Sequence, residues 1–211
     1  GKKFSVELPE QKKKSDAAYK QIAAIIADAN RSENNAFIPI FSSASAKFAE
    51  LADVRAAARD TRIDALQAIA AYGNCINEFI TAISGLNEQS HKALTSILQL
   101  MHGKEIAGQE RATLNAAFSA GTFSKQLYRD WLYRVSAQNT YLRSFAELGG
   151  KDAQGMLQNR LKTSDDEVTR YRDTAYANLE KSNLEVEPQE WFAAATKRID
   201  SLMDIEKSWG K

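Results

Sequence analysis

A chain of 211 residues can bury a substantial core in one large domain or two small ones. With 28 Lys plus Arg against 27 Asp plus Glu, it has neither the basic excess of a nucleic-acid binder nor an acidic tail. Three prolines, ten glycines and long Ala/Leu/Glu/Lys-rich runs favour helix over a sandwich or barrel, and the single Cys75 excludes an internal disulfide framework or a cysteine-based zinc site.

The first predicted helix opens at Leu8-Pro9, where a first-turn proline loses no hydrogen bond, and runs through Ala18, Ile22, Ile25 and Ile26 to about Asn30. A polar break from Arg31 to Asn35 separates it from a second helix carrying Phe37, Ile40, Phe41, Phe48 and Leu51, with Pro39 in its first turns. Ala52 to Asp60 is either a third helix or the end of the second. Apolar positions at Leu66, Ile69, Ala70, Ile76, Phe79, Ile80 and Ile83 predict a helix over 63–83, closed by Gly85. From Glu88 to about Ala120 the only breakers are Gly103 and Gly108. Each costs only about 1 kcal/mol in a helix, so this is read as one long helix. Ser124 to Leu148 forms the next, stopped by Gly149-Gly150. A helix over 151–179 follows, with Ser164 the one place where it could break, and the last starts at Pro188 and reaches Lys207.

Short links between long amphipathic helices make antiparallel neighbours, so the fold class is all-α, built as elongated up-down helical bundles. A weak internal echo pairs Phe4-Ser5-Val6-Glu7-Leu8 with Phe123-Ser124-Lys125-Gln126-Leu127, each at a helix start. It points to two related, four-helix-bundle-like halves that share long helices. No run of about 18 apolar residues is present, and no signal peptide is visible. Residues 1–211 are read as a single domain cut from something longer.

No catalytic signature survives inspection, and neither enzyme activity nor a cofactor is expected. The two histidines, His91 and His102, share one face of the long helix but stand about 16 Å apart at 1.5 Å per residue, too far to bind one metal together. Glu105 follows His102 at the spacing of a helical di-iron site, yet no second Glu-x-x-His unit exists. No phosphate-binding loop and no GxSxG elbow occurs. The aromatics Tyr128, Trp131, Tyr133, Tyr141, Phe145 and Trp191-Phe192 fall at helical spacing and read as core, and Lys12-Lys13-Lys14 as a solvated face.

One face of the long helix is less ordinary. Positions 97, 101, 104, 108, 111, 115 and 118 line up, so Arg111 points into the bundle and Lys104 shares its face. A buried arginine needs a partner. Either it makes an internal ion pair, with Glu105, Glu110 or an acid from another helix, or it awaits an anion. A planar guanidinium with paired donors suits a small planar oxyanion. Gly103 and Gly108, about two turns and one turn before Arg111, would let a helix or ligand approach closely.

At these residues the chain resembles the nitrate- and nitrite-sensing (NIT) domain family. The segment from His102 to Phe118, HGKEIAGQERATLNAAF, is similar to the family's "ake-x-x-g-x-ERA-x-l-x-x-x-F" element. In the same order, Leu8-Pro9-Glu10-Gln11 leading to Ser15-Asp16 resembles "L-x-x-QR-x-x-tD", and Leu51-Ala52-Asp53-Val54-Arg55 leading to Tyr72 resembles "L-x-x-iR…Y". Trp191-Phe192 with Thr196, Ile199-Asp200 and Leu202 resembles "W-x-x-x-T-x-x-id-x-L". The resemblance implies a helical pair of bundles that binds nitrate or nitrite through arginines. Arg111 matches the ERA arginine and Arg55 that of the "iR" element. Two departures stand out. The family's first helix, with its ERG motif, would lie before Gly1, and Gln11-Lys12 stands where the family tends to have QR.

Two roles follow. In the first, a small anion binds between helices at Arg111 and Arg55 of a periplasmic domain, and the rearrangement passes to a cytoplasmic signalling domain of an inner-membrane receptor of the chemoreceptor type, expected as a homodimer. In the second, the chain is a structural or protein-interaction bundle without a small ligand. They are separated by whether Arg111 has a carboxylate partner of its own.

Overall fold

Apolar residues recurring every three to four positions produce helix along nearly the whole chain. A computed structural model describes residues 2–29, 38–85, 92–181 and 183–209. They form six helices, α1 (Lys2–Ala29), α2 (Ile38–Arg59), α3 (Ala65–Gly85), α4 (Lys92–Ala120), α5 (Lys125–Ala177) and α6 (Pro188–Ser208), with no strand among them. No helix among the described residues is long and apolar enough to cross a membrane. The polar break at 31–35, His91 and the start of the long helix at 88–91 lie outside the described residues.

Several expected boundaries move. Helix α1 begins at Lys2 rather than Leu8, so Pro9 is an interior residue on an exposed face and deprives the carbonyl of Ser5 of its helical donor. The segment 52–60 is simply the end of α2. Helix α3 starts two residues later than its apolar pattern, because Asp64 and Gln67 cap each other: Gln67 N–H donates to Asp64 Oδ1 at 2.7 Å and Asp64 N–H to Gln67 Oε1 at 2.9 Å. Ser164 does not break its helix. Its buried hydroxyl donates to the carbonyl of Leu161 one turn back.

The glycine stop at 149–150 takes the form of a reversal within one hydrogen-bonded element. Gly150 adopts φ 66°, ψ −148°, a region open essentially to glycine alone. It folds α5 into two antiparallel arms, 125–149 and 151–177. Leu127 and Trp131 of the first arm thus share a cluster with Val168 and Ala175 of the second, and Leu142 and Phe145 share another with Ala153 and Leu161. Ser124 caps the first arm by accepting from the Leu127 N–H at 3.1 Å. Pro188 opens α6 as expected.

Helices α4 and α6 and the two arms of α5 make a four-helix bundle with two apolar clusters. One gathers Leu114, Phe118, Trp131, Val168 and Trp191; the other Leu100, Leu142, Phe145, Leu161 and Leu202. Between them lies a buried polar layer. Helices α1, α2 and α3 form the second half. Tyr19 stacks on Phe48 at 4.0 Å between ring centres, and Phe48 meets Phe79 edge-on at 6.4 Å. This half joins the bundle where α3 packs on α4. At Gly73 a methyl group would lie 2.5 Å from Gln109 Nε2, so any larger residue there would push the end of the Gln109 side chain aside.

Candidate functional site

The polar layer is centred on Glu110, which is 2% exposed. Arg172 clamps its carboxylate with two hydrogen bonds, Nε–Oε1 at 2.7 Å and Nη2–Oε2 at 2.6 Å. Gln138 Nε2 donates to it at 2.6 Å and Trp131 Nε1 at 3.3 Å. Gln138 Oε1 in turn accepts from Arg198 at 2.6 Å, and Arg198 donates to Asp165 at 2.5 Å. One connected network therefore touches α4, both arms of α5, and α6. Burial alone would raise the Glu110 pKa, but the Arg172 hydrogen bonds and charge hold it below the usual carboxylate value. Arg172 is raised for the reciprocal reason: the Glu110 bonds outweigh the cost of burial.

Arg111, one residue on, belongs to a different set. Successive helix residues point about 100° apart, so Glu110 looks into the α5 arms while Arg111 looks at α6. Its Nη1 donates to Thr196 Oγ1 at 2.7 Å, and the guanidinium lies over the Phe192 ring at 4.4 Å. The Thr196 hydroxyl spends its own proton on the carbonyl of Phe192. Trp191 Nε1 donates to the backbone carbonyl of Arg111 at 2.9 Å, which pins α4 to α6 at this level. Among the described residues no carboxylate comes within ion-pair distance of Arg111, and its buried Nε finds no acceptor. Burial lowers the Arg111 pKa, an effect only partly offset by the field of Asp200. The internal ion pair with Glu105 or Glu110 that the sequence left open does not form.

The surroundings leave room on one side. A methyl group added at Gly108 would meet nothing within 4 Å, whereas one at Gly103 would press on Leu142 at 3.0 Å. The two glycines thus do different jobs. Gly103 admits the first arm of α5, and Gly108 leaves open space one turn from Arg111. Lys104, on the same face, is held by an ion pair to Glu206 of α6. What the set offers is one desolvated, always-charged guanidinium with an unbonded Nε, a group whose chemistry suits an acceptor with two oxygens.

Arg55 sits in the other half of the molecule and is fully engaged there. Nη1 bonds Asp16 at 2.8 Å, Nη2 bonds Ser15 at 3.1 Å, and Nε bonds Tyr72 Oη at 3.2 Å. It thereby ties α1, α2 and α3 together. Burial disfavours its charge, but the Asp16 and Tyr72 bonds prevail and its pKa is raised. Arg55 and Arg111 share no partner. His102 stacks on Tyr141 at 5.0 Å and is pushed down by burial. Among the described residues no group of three His, Cys, Asp or Glu side chains could hold a metal. A groove of about 490 Å³ runs between the α5 arms, with Arg143, Lys162, Asp165 and Arg198 on its walls, away from Arg111.

Sequence pattern named Arg111 and Arg55 as site residues and Glu110 only as a candidate counter-ion of Arg111, and it missed Gln138, Arg172 and Arg198. Gln138 falls in the stripe 131, 138, 142, 145, and Arg198 in the stripe 191, 195, 198, 202, 205, both otherwise apolar. A polar residue in an inward-facing apolar stripe was the available signal.

The whole chain, residues 1–211, matches a family model described as nitrate and nitrite sensing. A nitrate regulatory protein from Klebsiella oxytoca is 26% identical over 163 residues, which is 75% of this chain and 41% of that protein. The solved structure of the NasR transcription antiterminator superposes with a TM-score of 0.79 and 24% identity over 91% of this chain and 53% of that one, a likeness of fold. The chain therefore spans about half or less of the length of the relatives it matches.

Proposed function

Because the chain belongs to the nitrate- and nitrite-sensing (NIT) family, we propose that Arg111 holds the sensed anion in the space beside Gly108, between α4 and α6. The observation that carries this reading is a buried guanidinium with one hydrogen bond to Thr196 and, among the described residues, an unbonded Nε and no carboxylate partner. Leaving such a donor unsatisfied costs about 1–3 kcal/mol. A planar oxyanion approaching in the plane of the guanidinium recovers that cost, and Phe192 beneath the ring fixes the plane. The role is binding without turnover.

Signalling then follows from connectivity. An anion drawn against Arg111 adds contacts between α4 and α6, and the neighbouring Glu110 network links those two helices to both arms of α5. A shift of α4 against α6 is therefore felt by the whole bundle. It biases the conformation only to the extent that the anion binds one arrangement more tightly than the other. Arg55 acts in this scheme as the clamp of the N-terminal helices, through Asp16, Ser15 and Tyr72.

Two outputs suit the same sensor. One is the extracytoplasmic domain of a membrane-anchored, dimeric chemoreceptor, as read from the sequence. The other, favoured by the similar solved structure, a transcription antiterminator, is control of an attached antitermination domain. Fractionating cells that express the parent protein separates them, since only the first puts the domain beyond the inner membrane.

The binding test is calorimetric titration of nitrate and nitrite into the parent protein and its Arg111→Ala variant, with chloride and sulfate for comparison. Saturable nitrate binding that disappears in the variant is expected. Absence of binding at millimolar nitrate, or equal binding by the variant, overturns the assignment.

A further inference from the structure

The face of α6 opposite Arg111 is a column of three residues spaced four apart: Phe192, Thr196 and Asp200. The first two touch the guanidinium, as ring and hydroxyl. The third is one turn further along, too far for an ion pair yet close enough for its charge to be felt at Arg111. Asp200 is exposed and, among the described residues, makes no ion pair. On the facing helix, Lys104 and Arg111 flank Gly108, and Lys104 is already neutralised by Glu206. Arg111, one turn from the open space at Gly108, is thus a cation without an ion pair among the described residues, and the charge acting on it from α6 is the carboxylate of Asp200.

We propose that Asp200 restricts this site to singly charged anions, an inference that rests on the anion-binding reading of Arg111. Arg111 supplies a single positive charge, so a monovalent anion neutralises it while a divalent one leaves an excess facing Asp200. The Asp200 penalty scales with the charge of the anion. Nitrate and nitrite meet it once; sulfate, or phosphate in its doubly charged form, meets it twice. At about 6 Å, one helical turn, and an effective dielectric between about 40 and 80, the penalty is a factor of about three to ten in affinity for a monovalent ion. For a divalent ion it is the square of that factor. Shape alone would not give this dependence, because shape discrimination is unchanged when only a charge is removed.

The test is to measure nitrate binding directly, and sulfate by competition against nitrate, in the parent protein, its Asp200→Asn variant and its Asp53→Asn variant. Asp53 is exposed on α2, so its replacement changes the net charge equally without touching α6. Asp200→Asn is expected to tighten nitrate about three- to tenfold and sulfate by the square of that factor, so that nitrate-over-sulfate selectivity falls by about three- to tenfold, while Asp53→Asn changes neither. Equal factors for the two ions, no change, a loss of nitrate affinity, or the same effect from Asp53→Asn overturns the proposal. If the unaltered protein binds no nitrate, the sensor reading itself fails, a result distinct from any of these.

Discussion

Replacing Glu110 by alanine is the most informative perturbation of the bundle. Glu110 is 2% exposed, and its removal strips acceptors from the Arg172 guanidinium, whose side chain is 16% exposed, and from Gln138 and Trp131. Breaking a buried ion pair by deleting one partner costs about 3–5 kcal/mol, because the remaining charge is left in a low-dielectric interior. The two neutral donors add to this, while Arg172, nearest the surface, recovers some water on relaxing. We expect a net loss of about 4 kcal/mol, or about 10 °C in Tm for a domain of this size. Urea unfolding, followed by far-ultraviolet circular dichroism and by tryptophan fluorescence, measures it. The double replacement Glu110→Leu with Arg172→Leu is expected to recover much of the loss, since both desolvation penalties vanish together. A loss below about 1 kcal/mol for Glu110→Ala, or a double variant no more stable than the single, refutes the reasoning. Acid should have a parallel effect. Because Arg172 holds the folded-state Glu110 pKa below its usual value, the stabilisation is present above that usual value and fades as pH falls through the folded one. Glu110→Gln flattens this acid limb.

Two further outcomes test the surroundings of the site. Gly108→Ala introduces a methyl that meets nothing within 4 Å, so it should raise stability by up to about 1 kcal/mol through helix propensity while weakening nitrate binding by narrowing the open space; a fall in Tm or an unchanged Kd contradicts the placement. Glu105 is a largely buried carboxylate whose partner is the amide of Gln109, and burial raises its pKa. The neutral form suits the fold, so its contribution is present in acid and is lost as pH rises from the usual value through the raised one. Glu105→Gln should therefore stabilise the protein by about 1 kcal/mol near pH 8, the low end of the burial penalty, and have little effect near pH 4; destabilisation at pH 8 rules this out.

A fully satisfied polar layer between two apolar clusters also has a structural consequence. Along an Ala- and Leu-rich bundle, helices could slide by a turn with little change in apolar burial. Such a slip would strand Glu110, Arg172 and Arg198 without partners. The layer therefore sets the register that puts Thr196 opposite Arg111, although Thr196 itself belongs to no part of it.

The helices were written locally. Apolar period placed α3, the lack of strong breakers α4, Gly149-Gly150 the end of the first α5 arm and Pro188 the start of α6, each acting within a turn or two of chain. Period also pointed Arg111 inward. Local signals misjudged Pro9, because one proline on an exposed helix face removes a single hydrogen bond without ending the helix. What they could not supply was the identity of partners. Glu110 and Glu105, one and six residues before Arg111, looked like its counter-ions, yet Glu110 faces the α5 arms and finds Arg172 62 residues away, while Arg111 finds Thr196 85 residues away. A helical pattern fixes which side of a helix turns inward. Which inward polar groups meet depends on how neighbouring helices slide and rotate against each other, a register set only when the α5 hairpin, α4 and α6 are packed together.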